Sequence, residues 1–158
     1  MKLEITKEKA KKIYESAPAA LQEILTETFG EECFRKTEFT DLKTFDDLCH
    51  ACGTTEDEFE EKWKRIPVDS QTVSFQRMKI LSDAINQGWK PDHFNTDQYK
   101  WFPYFKVSSS GFGFSGSGCS CDGADAGVGS RLCFESEEKS NHAGGQFTQL
   151  FQDFITGK

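Results

Sequence analysis

Apolar residues return every three to four positions along residues 1–90 and every second position over parts of the remainder. These are the periods of helix and strand. Thr6 can cap a helix running through Ser16, with Ile13, Tyr14 and Ala17 on one face. Pro18 suits the first turn of a second helix, where Leu21, Ile24, Leu25, Thr28 and Phe29 keep helical spacing and Gly30 supplies the stop. Thr44 with Asp47, and Thr55 with Glu58, have capping-box spacing. Phe45, Leu48, Cys49 and Cys52 follow the first box, and Phe59, Trp63 and Ile66 the second, which Pro67 ends. The strongest periodicity spans 72–87, where Met78, Ile80, Leu81, Ala84 and Ile85 make a broad stripe. Gly88 closes it, and Trp89 can fold back on the last turn.

After Pro91 the pattern changes. Over 99–107, Trp101, Pro103, Phe105 and Val107 alternate with Phe102 and Tyr104, and Pro103 marks an edge or a bulge. Phe112 and Phe114 alternate with glycines in a short second strand. A third spans 131–135, with Leu132 and Phe134 opposed to Cys133. Ser136, Glu137 and Glu138 open a final helix whose apolar face is Phe147, Leu150, Phe151 and Phe154. The expected fold class is α+β, as one domain over 1–158. An N-terminal helical half (1–90) packs on a small three-stranded antiparallel sheet with a C-terminal helix. Sandwiched in this way, the sheet buries both of its faces. Residues 108–130 hold seven Ser and seven Gly in 23 positions, a composition that predicts a flexible loop.

Composition narrows the class. The chain has 158 residues, 15 Phe, 3 Trp and 3 Tyr, enough apolar area for a globular core. No window approaches the length of a membrane span, and the charged start lacks the apolar core of a signal peptide. A cytoplasmic setting is expected, with Cys33, Cys49, Cys52, Cys119, Cys121 and Cys133 as reduced thiols. The net charge is −7, with no basic tail, so nucleic acid is an unfavoured partner.

Several constellations carry potential chemistry, each beside a plainer reading. Cys49-His50-Ala51-Cys52 is a CxxC, but it lies at a helix C-terminus, where the dipole opposes thiolate. Cys49 and Cys52 with Cys119 and Cys121 could hold structural zinc; the plainer alternative is a buried helical stripe with two incidental thiols. The run from Gly111 to Gly116 reads GxGxxG, yet Ser117-Gly118-Cys119 starts no helix to hold a pyrophosphate. Asp122 and Asp125 lack EF-hand spacing. Cys133 with His142 could be nucleophile and base, although a cysteine between Leu132 and Phe134 reads first as packing. No catalytic residues and no cofactor are assigned.

Nine aromatics fall within 89–114: Trp89, Phe94, Tyr99, Trp101, Phe102, Tyr104, Phe105, Phe112 and Phe114. Those not buried would form a binding surface for a protein, a single-stranded nucleic acid or a carbohydrate. The candidate surface is Trp89, Tyr99, Trp101, Phe102, Tyr104, Phe112 and Phe114 with Arg131. Single-strand binding needs cations along the groove, and only Lys90, Lys100, Lys106 and Arg131 are at hand.

Several segments together resemble a known group. They include Leu21-Gln22-Glu23-Ile24-Leu25 with Phe29-Gly30-Glu31-Glu32-Cys33-Phe34, Thr44-Phe45-Asp46-Asp47-Leu48-Cys49, Asn86-Gln87-Gly88-Trp89-Lys90-Pro91-Asp92 and Tyr99-Lys100-Trp101-Phe102-Pro103-Tyr104-Phe105. Gly111-Phe112-Gly113-Phe114, Val128-Gly129-Ser130-Arg131-Leu132-Cys133-Phe134 and Ala143-Gly144-Gly145-Gln146-Phe147 complete the set. The chain resembles, over nearly its whole length, a family of small uncharacterised proteins from Bacteroides-type gut bacteria and their phages and mobile elements. The resemblance implies a host-cell interior or virion-associated setting and a variable segment over 115–127. It brings no catalytic role. The expectation is a non-enzymatic, phage- or mobile-element-derived accessory protein acting through a protein partner. A zinc-stabilised module and a single-stranded nucleic-acid binder are the alternatives.

Overall fold

A computed structural model describes residues 5–31, 34, 37–109, 111–121 and 132–157. Internal contacts divide the chain into two compact units, Met1–Thr37 and Glu38–Lys158.

The first unit holds α1 (Lys7–Tyr14) and α2 (Ala19–Phe29). Thr6 caps α1 by accepting from the Lys9 N–H. Gly30, at φ 84°, ends α2 in a conformation that favours glycine. The helices are tied by Gln22 Nε2 donating to the Tyr14 carbonyl at 2.7 Å, and the Tyr14 ring stacks on Phe34 at 4.0 Å.

The second unit begins with a 3-10 turn, Phe39–Asp41, then α3 (Phe45–Ala51), α4 (Glu56–Arg65) and α5 (Ser70–Asn86). Both capping boxes read from the sequence are formed, at Thr44/Asp47 and Thr55/Glu58. Strands β1 (Lys100–Ser108) and β2 (Gly111–Ser120) form an antiparallel pair. Helices α6 (Glu137–Gln146) and α7 (Thr148–Thr156) follow. Helix α6 packs on both strands, and α5 packs on α6, α7 and α3. Leu48, Met78, Leu81, Ile85 and Phe134 are fully buried at the centre of this core. The class is α+β, with seven α-helices among the described residues.

Three expectations change. The third strand is reduced to one bridge, in which Trp101 and Phe134 exchange N–H···O bonds of 3.0 and 2.9 Å. Side chains from α5 claim the flanking backbone. Asn86 Nδ2 donates to the Cys133 carbonyl at 2.8 Å, and Asn86 Oδ1 accepts from the Glu135 N–H at 3.1 Å. Ser136 then caps α6, so the ladder cannot extend. The C-terminal helix is two helices, broken at Phe147 (φ −113°, ψ 30°). The short strand expected around Phe112 and Phe114 is ten residues long, Gly111–Ser120, and takes up much of the segment 108–130 expected to be a flexible loop. Residues 122–130 of that loop lie outside the described residues.

The hydrogen-bonding sense of the hairpin explains its proline. Trp101 spends its N–H and C=O on Phe134, so the Trp101/Cys119 pair faces away from the β1–β2 ladder. Alternation then turns Pro103, Phe105 and Val107 outward as well. Pro103, which has no N–H, sits where none is required. The register slips between Tyr104 and Phe105, where Ser115 is the extra residue and Gly116 takes φ 137°.

Candidate interaction surface

The two faces of the hairpin differ. On the α6 side, Phe105 stacks on Phe112 at 4.8 Å, meets Phe114 edge-on at 6.0 Å and packs against Phe151 at 4.8 Å. Ser117 Oγ donates to Ser140 Oγ of α6 at 2.7 Å. Trp101 and Phe112 pack against the buried core. Of the candidate surface residues, Trp101, Phe112 and Phe114 are therefore committed largely to the interior.

The opposite face carries Phe102, Tyr104 and Lys106 of β1 beside Gly113, Gly116 and Gly118 of β2. Tyr104 is 62% exposed and Phe102 half-buried, so the expected sandwich does not close over this face. The Tyr104 ring lies over Gly118, where a Cβ would come within 2.5 Å of it. Trp89 is half-buried, and its backbone N–H donates to the Asn86 carbonyl at 3.0 Å, closing a turn at the end of α5. Arg131 lies outside the described residues.

The loop between α5 and β1 presents Tyr99 of the candidate surface and adds Phe94, which that surface left out. Phe94 is 99% exposed and Tyr99 55%. The loop is nonetheless fixed. Asp92 Oδ1 accepts from the Phe94 N–H at 2.9 Å, and Asn95 Oδ1 from the Asp97 N–H at 2.9 Å. Gln98 Oε1 accepts from the Asp92 N–H at 2.6 Å. Lys100, 3% exposed, donates from Nζ to the Asn95 carbonyl at 2.9 Å. The signal for this turn was present as Asp92 and Asn95, each two residues before an N–H that its carboxylate or amide accepts. Burial of Lys100 also removes one of the few cations a single-strand groove would use.

The cysteines sit apart from any metal geometry. Cys49 and Cys133 are buried, Cys119 is exposed and Cys121 half-buried. Cys52 is exposed as a residue but turns its Sγ onto the Ile80 carbonyl at 3.6 Å. Among the described residues no three His, Cys, Asp or Glu side chains gather as metal ligands, so Cys49, Cys52, Cys119 and Cys121 do not form the four-thiolate site considered. Burial pushes the Cys49 thiol up to about 11, with Glu56 and Asp46 adding to it. Burial, then Asp83, does the same for Cys52, and burial for Cys133. His142 Nε2 lies 3.0 Å from the Leu42 carbonyl, with its ring edge-on to Phe39 and Phe147. The glycine motif from Gly111 to Gly116 lies inside β2, which runs on to Ser120 without a helix start. Asp122 and Asp125 lie outside the described residues. No described helix is long and apolar enough to cross a membrane.

Comparison with protein-family models, with curated proteins and with solved structures finds no match to this chain.

Proposed function

We propose that the chain is a non-enzymatic accessory protein, of phage or mobile-element origin, that acts by binding a protein partner. The observation that carries this is Phe94, a phenylalanine held fully in water on a loop already fixed by hydrogen bonds. A pre-ordered aromatic loses little conformational freedom on entering a partner's pocket, and aromatics dominate binding energy at protein interfaces. Tyr99 and Tyr104 add exposed aromatic area within the next ten residues. A net charge of −7 and a buried Lys100 favour protein over nucleic acid. Thiols held protonated at Cys49, Cys52 and Cys133 are poor nucleophiles, which supports a binding rather than a catalytic role.

The test compares immobilised wild-type protein with a Phe94→Ser/Tyr104→Ser variant against host lysate. The expected result is one or more proteins retained by the wild type and lost with the variant, at unchanged melting temperature. Identical retention by both, or retention of nothing where a control bait works, overturns the reading.

A further inference from the structure

Strand β2 has an open edge with an unusual spacing. The outward sense of Trp101/Cys119 fixes the sense of every other pair in the hairpin. On β2 the N–H and C=O groups of Phe112, Phe114, Ser117 and Cys119 point away from β1. The extra residue Ser115 makes the intervals between them two, three and two. No described residue hydrogen-bonds to these four backbone positions from that side.

The two edges of the hairpin are not equivalent. The β1 edge is taken by Phe134 at Trp101, lacks a donor at Pro103 and has Lys106 nearby. Bridging, proline and lysine are the usual protections of an edge strand. The ten residues of β2 contain no proline and no charge, on a chain of net charge −7. The strand itself therefore brings no like charge to a pairing between two copies of this acidic chain.

We propose that two copies of the chain pair along β2, edge to edge and antiparallel, into a four-stranded sheet. The outward positions 112, 114, 117 and 119 are symmetric about the midpoint of Ser115 and Gly116. A two-fold axis there sets Phe112 opposite Cys119 of the second copy and Phe114 opposite its Ser117. Each of the four pairs so formed exchanges two N–H···O bonds. A regular strand presents outward groups at every second residue, so it can match only one half of this edge at a time. A second copy carries the same irregularity and matches all of it. The side chains of the four residues share the α6 side of the sheet, which a two-fold axis normal to the sheet preserves. The opposite face then places both glycine rows at the centre, flanked by Phe102 and Tyr104 of each copy.

The decisive experiment is light scattering with sedimentation equilibrium over a concentration series, on wild type, Cys119→Ser and Cys119→Pro. The expected mass is about twice 17.9 kDa for wild type at high concentration. Cys119→Ser retains that mass, because it keeps the backbone N–H and removes only the thiol. Cys119→Pro remains folded by circular dichroism and stays monomeric, because it removes one outward N–H and no bond to β1. Amide exchange on the wild type supplies a second reading that needs no variant. The N–H groups of Phe112, Phe114, Ser117 and Cys119 gain protection as concentration rises, at least tenfold over dilute protein, while those of β1 do not change. A monomer at every concentration overturns the proposal. So does a dimer that leaves these four amides unprotected, or one that folded Cys119→Pro does not weaken.

Discussion

Gly144 of α6 lies so close to Phe114 of β2 that a Cβ built there would come within 2.4 Å of the ring. The same Cβ would stand 2.7 Å from Pro103 Cβ on β1. Neither neighbour can give way easily, since Phe114 is wedged by Phe105 and Pro103 is part of the strand. Gly144→Ala is therefore expected to destabilise the protein by about 1–3 kcal/mol, although alanine is the better helix former. Denaturant unfolding checks this. In a double-mutant cycle, Phe114→Leu should cost less in the Gly144→Ala background than in the wild type, because the shorter side chain relieves the overlap. Gly144→Ala with wild-type stability would mean that α6 does not sit on the strands as described.

Gly118 offers a contrast at nearly the same distance. A Cβ there meets Cε2 of Tyr104 at 2.5 Å. Tyr104 is 62% exposed, so its ring can swing into solvent. Gly118→Ala should change the unfolding midpoint little while altering Tyr104 fluorescence and its accessibility to nitration. If the stability loss equals that of Gly144→Ala, Tyr104 is held in place by something stronger than contact with Gly118.

His142 should make stability depend on pH in mildly acidic solution. Burial is the main force holding its pKa below the usual 6.5, with Lys43 adding to it and the Leu42 hydrogen bond opposing. The unfolded chain then takes up a proton at higher pH than the folded one. Stability from this group is complete above 6.5 and declines as pH falls toward the folded value. His142→Gln can still donate to the Leu42 carbonyl but does not titrate. The expected outcome is a difference between wild type and His142→Gln that is constant above pH 7 and shifts in the variant's favour as pH falls below 6.5. A difference that does not change with pH would place the imidazole in water.

Much of the helical part was legible because its signals are local. Thr44/Asp47 and Thr55/Glu58 announce capping boxes through residues only three positions apart, and both are formed. Gly30 ends α2 through positive φ, a property of the residue itself, whereas α5 already turns left-handed at Gln87 (φ 51°), one residue before the Gly88 that the sequence marks as its stop. The strands were harder because pairing is non-local. Phe112 and Phe114 alternate visibly, but nothing in Ser115-Gly116-Ser117-Gly118 says that its glycines will lie beside Tyr104 and Phe102, so the strand reads as too short. The third strand failed for a related reason, since Asn86 sits 49 positions from the Glu135 N–H it accepts. Among the aromatics, alternation correctly set Phe102 and Tyr104 against Trp101 and Phe105. It could not say which face α6 would cover. Phe94 lay outside any alternating run, and its exposure follows from a turn chemistry held in Asp92 and Asn95.

The cysteines give a prediction that separates packing from chemistry. The thiolate is the reactive form, and a pKa of about 11 leaves roughly one molecule in ten thousand ionised at pH 7. Cys49 and Cys133 are in addition buried. In dilute native protein a disulfide reagent should modify Cys119 first, since it is exposed. Cys49 and Cys133 should react only as fast as the structure opens, at a rate that saturates with reagent concentration. Cys52 should lag behind Cys119, because its Sγ is turned onto the Ile80 carbonyl. Peptide mapping by mass spectrometry assigns each site. The same experiment tests the CxxC of α3 directly. A redox pair would form the Cys49–Cys52 disulfide on mild treatment with oxidised glutathione, while a packing pair resists it until the protein unfolds. Ready oxidation of these two residues would contradict both the burial of Cys49 and the high thiol pKa at each.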